Sequence, residues 1–137
     1  MLAQALTLHT DLSCAAMKHG RKYEDIAVHT YMGITKVQVE QTGIHVNPHI
    51  PYLGCSPDGL VGADGIVEIK CPYTTGNQKI TPQSVPYLHT NVDDHLCLKQ
   101  SHDYYYQVMG TLLCIQRNWC DFVVWTFEDI SIIHIDK

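Results

Sequence analysis

Few arrangements are open to a chain that contains Gly65-Ile-Val-Glu-Ile-Lys-Cys-Pro72. Ile66, Val67 and Ile69 are β-branched and favour an extended strand. The turn-rich Gly62-Ala-Asp-Gly65 precedes them, and Pro72, which has no N–H for a ladder, ends the run. Side chains of a strand alternate between faces, so Val67 and Ile69 face a core while Glu68 and Lys70 share the opposite face, about 6.6 Å apart along the strand. An acid and a base so placed can serve one site in separate roles.

The segments around this strand predict an α/β domain. A helical pattern runs from Asp11 to about Met32, with Gly33 as its expected stop and Gly20 as a point of division. Lys36 to Gln41 alternates as a half-buried strand does, and Thr42-Gly43 suggests a turn into Ile44–Val46. A further strand is expected over Tyr52 to Cys55, broken at Ser56-Pro-Asp-Gly59. Residues 74–100 carry little periodicity and read as a long irregular stretch, a feature often functional or mobile. A helix is predicted from His102 to Gln116, with an apolar stripe of Val108, Leu112 and Ile115, and two strands follow, Phe122–Phe127 and Ile130–Ile135. Helix, strands, helix, strands predicts a central mixed β-sheet flanked by helices.

The chain has 137 residues, which predicts a single domain over 1–137. No apolar run approaches the about 18 residues that cross a bilayer. The leading segment carries His9 and Asp11 and lacks a basic start, so an intracellular protein without a membrane span is expected. The six cysteines form no C-x-x-C pair, which predicts mostly buried thiols rather than disulfides, a zinc site or an iron–sulfur cluster. The nine histidines likewise lack ligand spacing.

Asp58 lies ten residues before Glu68. A strand ending at Cys55, a turn, and a strand from Gly65 would return Asp58 to the side of Glu68. Two carboxylates so close repel, and one tends to keep its proton unless a cation lies between them. Oxygen donors suit Mg²⁺, with Mn²⁺ a substitute. Taken singly, Pro-Asp-Gly is an ordinary turn and Glu-x-Lys an ordinary solvated pair; their order and spacing argue for a shared site. Glu24 falls in line with Ala27, Val28 and Tyr31 on one helix face, where a carboxylate is costly to bury unless paired or bound to metal. Its bland alternative is a glutamate of the first helical turn, facing water. Gln107 shares a face with Asp103, Gly110, Thr111 and Cys114, small or polar neighbours that let a ligand approach. The bland alternative is a surface glutamine, and for Lys70 a plain salt bridge to Glu68 or Asp58.

Leu53-Gly-Cys-Ser-Pro-Asp-Gly-Leu60, Gly65 to Pro72, Tyr106-Gln107-Val-Met-Gly110 and Gly20-Arg-Lys-Tyr-Glu-Asp-Ile-Ala27 with Tyr31 resemble, in order, the motifs of the YqaJ-type viral recombinase nucleases. These are a branch of the lambda exonuclease-like group within the PD-(D/E)xK superfamily, and the likeness spans roughly residues 18 to 127. It implies a restriction-endonuclease-like core and a metal-dependent nuclease that digests double-stranded DNA from a 5′ end in recombination. It further implies that Asp58, Glu68, the Ile69 carbonyl and Glu24 hold metal, that Lys70 positions and activates water, and that Gln107 supports it. A recombinase or single-strand annealing protein as partner and a homo-oligomer are also implied.

The net charge of −5 has the wrong sign for a DNA protein, although a divalent cation inverts the sign of an acidic pocket. Lys18, Arg21 and Lys22, with Ser56 near the acids, are the candidate DNA contacts; a solvated helix start is an equal alternative for the three basic residues, and residues 74–100 with Lys79 and Lys99 could close over the duplex. Competing readings are an endonuclease of the same chemistry, a DNA-binding module that no longer cuts, and an iron–sulfur nuclease.

Overall fold

The computed structural model describes residues 2–41, 43, 45, 46, 49 and 54–137, and of these the side chains from residue 14 onward other than 45 and 46. The chain runs through helix α1 (Leu2–Thr35), strands β1 (Val39–Glu40), β2 (His45–Val46), β3 (Gly54–Cys55), β4 (Gly59–Val61), β5 (Gly65–Lys70), β6 (Leu88–Thr90) and β7 (Leu96–Leu98), helix α2 (Asp103–Ile115), and strands β8 (Trp119–Trp125) and β9 (Ile130–Asp136). Five strands form a mixed sheet in the order β1-β4-β5-β8-β9. Of its neighbouring pairs only β5–β8 is parallel, and α2 lies on the crossover between them.

The two faces of the sheet carry separate cores, as strand alternation requires. Ile66, Cys120, Phe122 and Val124 pack with Val108 and Leu112 of α2. Val67, Ile69, Val123 and Trp125 pack with Ala27, Val28 and Tyr31 of α1. This is the expected α/β arrangement, a mixed sheet with a helix on each face. The buried Tyr31 hydroxyl donates to Asp121 Oδ2 at 2.5 Å, and His134 Nδ1 lies 2.8 Å from Asp121 Oδ1. That chain of contacts ties α1 through β8 to the edge strand β9.

Several local expectations are corrected. Helix α1 passes through both Gly20 and Gly33 without a break and ends at Thr35. Its stop is Lys36, at φ 60°, whose N–H donates to Met32 O at 2.9 Å, a left-handed cap that another residue supplies in place of glycine. A glycine inside a helix costs roughly 0.5–1 kcal/mol, less than burial of the Ala27, Val28 and Tyr31 stripe returns. The strand expected over Lys36–Gln41 shortens to β1. The strand expected at Tyr52–Cys55 is represented by β3, which pairs with β2 in a small separate sheet; Thr42, Ile44, Tyr52 and Leu53 lie outside the described residues.

The hairpin that brings Asp58 back is also different. Gly59 does not close a turn. It begins β4, and β4, not β3, pairs antiparallel with β5, Gly59 opposite Val67. A Cβ on Gly59 would stand 2.3 Å from Val39 Cγ1 and 3.0 Å from Val67 Cγ1, so glycine is required by close approach of neighbouring strands.

Residues 74–100 are packed rather than irregular. They hold the β6–β7 hairpin and bury Ile80, Val85, Leu88 and Leu98 in the α2-side core. The segment lacked visible periodicity because its apolar residues come from two short strands and the turns before them.

Candidate active site

Strand β5 outruns its partner β4. Beyond Val67 no β4 residue remains to pair, and the Ile69 N–H instead donates to Asp58 Oδ2 at 2.7 Å. A strand residue exchanges both its N–H and its C=O with the same neighbour, so the Ile69 carbonyl projects to this open edge as well. The edge is where the two faces of the sheet meet: Glu68 comes from the α2 side and Glu24 from α1. Both carboxyls lie within hydrogen-bonding reach of Asp58, which is thus the central member of the group.

Glu24 is half-buried and belongs to the middle of a long helix, so its alternative as a first-turn residue is removed. Burial, then the Asp58 charge, pushes its carboxyl up to about 7. The same causes in the same order push Glu68 up to about 8. Lys70 acts against the rise in both. Among the described residues no group of three or more His, Cys, Asp or Glu side chains forms a ready-made metal cage. Asp58 instead accepts from the Ile69 amide, and its charge acts on both Glu24 and Glu68.

Among the described residues Lys70 has no salt-bridge partner within 4.0 Å; the ion pairs that close are those of His134. The Lys70 ammonium lies 4.1 Å from the centroid of the Tyr104 ring.

Two cavities meet at this lysine. One, of about 350 Å³, is lined by Cys55, Ser56, Glu68, Lys70, Tyr104 and Gln107 among others. The second, of about 400 Å³, runs from Lys70 and Tyr104 past Cys71, Tyr73 and Tyr87 to Met17 and Gly20 of α1. Residues 74–100 thus contribute a wall, Tyr87, next to the lysine. Gln107 is exposed and faces the first cavity with Gly110 and Thr111; of its other expected neighbours, Cys114 is buried and Asp103 is exposed. Ser56 is exposed at the rim. Lys18, Arg21 and Lys22 stand exposed on α1 and line neither cavity. Lys22 lies over the Tyr23 ring at 5.3 Å.

Tyr104 is the site residue that sequence reasoning passed over. Its spacing held a signal: it precedes Gln107 by three, one helical turn along the same face. The cysteines hold no disulfide, but only Cys114 and Cys120 are buried, fewer than expected. Burial pushes the Cys71 thiol, beside Glu24 and Asp58, up to about 12.

Comparison with known proteins bears on the fold and the family. The structure resembles that of an alkaline exonuclease (LHK-Exo) from Laribacter hongkongensis, with a TM-score of 0.70 and 29% sequence identity over 90% of this chain. LHK-Exo in complex with dAMP is similar at a TM-score of 0.71 and 30% identity, again over 90% of this chain. The chain spans 59% and 58% of the length of the LHK-Exo chain in those two structures. No curated protein matches the sequence significantly. Among the described residues, no helix is long and apolar enough to cross a membrane. The YqaJ-like viral recombinase domain matches residues 2–118, most of the length, and the chain belongs to that family.

Proposed function

We propose that this chain is a metal-dependent nuclease that hydrolyses phosphodiesters of double-stranded DNA, working from a 5′ end in recombination. The observation that carries the reading is the convergence of Glu24, Asp58 and Glu68 at the open edge of β5, with Lys70 alongside and two cavities opening from it. Kinship to a protein described as an alkaline exonuclease, and to its complex with a nucleoside monophosphate, supports it. A recombinase or single-strand annealing protein is the proposed partner.

The donor set fits a divalent cation. Carboxyls raised by burial and then by a neighbouring carboxylate charge are the groups a cation relieves, and oxygen donors suit Mg²⁺ or Mn²⁺. Asp58, Glu68, Glu24 and the Ile69 carbonyl would hold it. A cation bound there supplies a water ionised near neutral pH and positive charge at the scissile phosphate.

The protein's own groups do the rest. Lys70 offers N–H donors to the attacking water and positive charge where negative charge develops. Gln107 can accept from that water or donate to a phosphate oxygen. Asp58, anchored by the Ile69 amide, keeps the acids in register with the strand. Ser56 at the rim and Lys18, Arg21 and Lys22 on α1 are proposed to meet phosphates farther along the duplex.

The test is digestion of end-labelled linear and closed circular duplexes, with Mg²⁺ or with a chelator. Loss of label from linear DNA alone, with Mg²⁺ alone, is the expected result. Cutting of the closed circle would make the chain an endonuclease, and cation binding without hydrolysis of either substrate would make it a binding module.

A further inference from the structure

We infer that Tyr104 is the positioning residue for Lys70, holding its ammonium between the two cavities and off the neighbouring carboxylates. What Lys70 does in catalysis rests on the nuclease reading above; the contact is a property of the chain alone.

A lysine on a flexible stem beside carboxyl groups should close onto them as they ionise, since attraction between opposite charges rises steeply as the surroundings become less like water. Lys70 does not. Its Nζ sits 4.1 Å from the Tyr104 centroid, well inside the about 6 Å over which a ring face attracts a cation. A ring face holds a cation without neutralising it. The N–H donors on the side away from the ring remain available to a water or a phosphate oxygen.

The ring is itself held. Tyr104 occupies the first turn of α2, and its N–H donates to Nδ1 of His102, the cap residue, at 3.1 Å. The His102 ring packs at 4.7 Å from the Tyr104 ring, Tyr87 packs edge-on at 4.9 Å, and Phe122 lies behind at 6.1 Å. Phe122 stands opposite Glu68 in the β5–β8 register, so the same sheet position sets the depth of both the acid and the ring. Tyr104 and Lys70 line both cavities, which places the ammonium in the wall between them.

The test has two arms. In the parental protein with isotope-labelled lysine, the Lys70 side-chain εCH₂ resonance, assigned by its loss in Lys70→Ala, should lie upfield of those of the exposed Lys36 and Lys137, as ring current requires. It should stay there in Tyr104→Phe and move to the common position in Tyr104→Leu. In cleavage assays Tyr104→Phe should keep the parental kcat, while Tyr104→Leu lowers kcat about three- to thirty-fold, the range a cation–π contact is worth, with KM unchanged. A Lys70 resonance coincident with Lys36 in the parent overturns the inference, as does an unchanged kcat in a folded Tyr104→Leu, or a loss confined to KM. If the parent does not cleave DNA, the nuclease reading fails and the resonance position alone decides the contact.

Discussion

Asp58 does two jobs with one carboxyl: it accepts the Ile69 N–H and stands between two other acids. Asp58→Asn keeps an oxygen for that N–H while removing the charge. It should therefore retain the fold, seen as an unchanged circular dichroism spectrum, and lose cleavage by about 10²-fold or more, as should Lys70→Ala. Parental cleavage rates in either variant would remove that residue from the site. The raised Glu24 and Glu68 carboxyls, at about 7 and about 8, give a second prediction. Each keeps in the folded chain a proton that the unfolded chain gives up near the ordinary glutamate value, so their contribution to stability falls as pH rises from about 4.5 to about 8. A cation requires them ionised, so Mg²⁺ or Mn²⁺ binding near pH 6.5 should release protons. Calorimetry in two buffers of different ionisation enthalpy reads that release directly; identical heats in both would show the acids already charged.

At the scale of elements, two glycines that look alike in sequence have opposite meanings. Gly33 lies in α1 with nothing within 4 Å of the position a Cβ would take, so Gly33→Ala should stabilise by about 0.5–1 kcal/mol. At Gly59 the added Cβ would meet Val39 Cγ1 at 2.3 Å, and Gly59→Ala should cost about 1–3 kcal/mol by forcing β1 and β4 apart. Urea unfolding midpoints distinguish the two, and a stable Gly59→Ala with parental cleavage would show that β4 does not set the position of Asp58. The same contrast shows why Pro-Asp-Gly misleads when read by itself. Turn chemistry and a crowded strand both select glycine, and only the identity of the neighbour tells them apart.

Across the whole molecule, α1 is held to the sheet by burial and by the Tyr31–Asp121–His134 chain. Hydrogen bonding to Asp121 raises the His134 imidazole above its ordinary value, with burial opposing and Asp136 adding to the rise. A raised histidine contributes stability that is complete below its unfolded value of 6.5 and fades as pH climbs through its folded value. His134→Gln should therefore narrow the difference in unfolding midpoint between pH 6 and pH 9 relative to the parent. An equal difference in both would show that the imidazolium adds nothing to the fold.

Much of this was legible in the sequence. The alternation of Ile66 to Lys70 put Glu68 and Lys70 on one face, and the stripe of Ala27, Val28 and Tyr31 put Glu24 toward the sheet, because both periods belong to local backbone geometry. The existence of the two closing strands and the extent of α2 were also set by local pattern, although the first of those strands runs Trp119–Trp125 rather than Phe122–Phe127. Three things were not local. The partner of β5 was decided by the fit of Gly59 between Val39 and Val67. The order in residues 74–100 came from burying Ile80, Val85, Leu88 and Leu98 against distant strands. The choice of Lys70 between carboxylates and a tyrosine ring depended on where α2 begins and on what supports Tyr104 from behind. Such outcomes are competitions between side chains far apart in the chain, and only the folded arrangement brings the competitors within reach of one another.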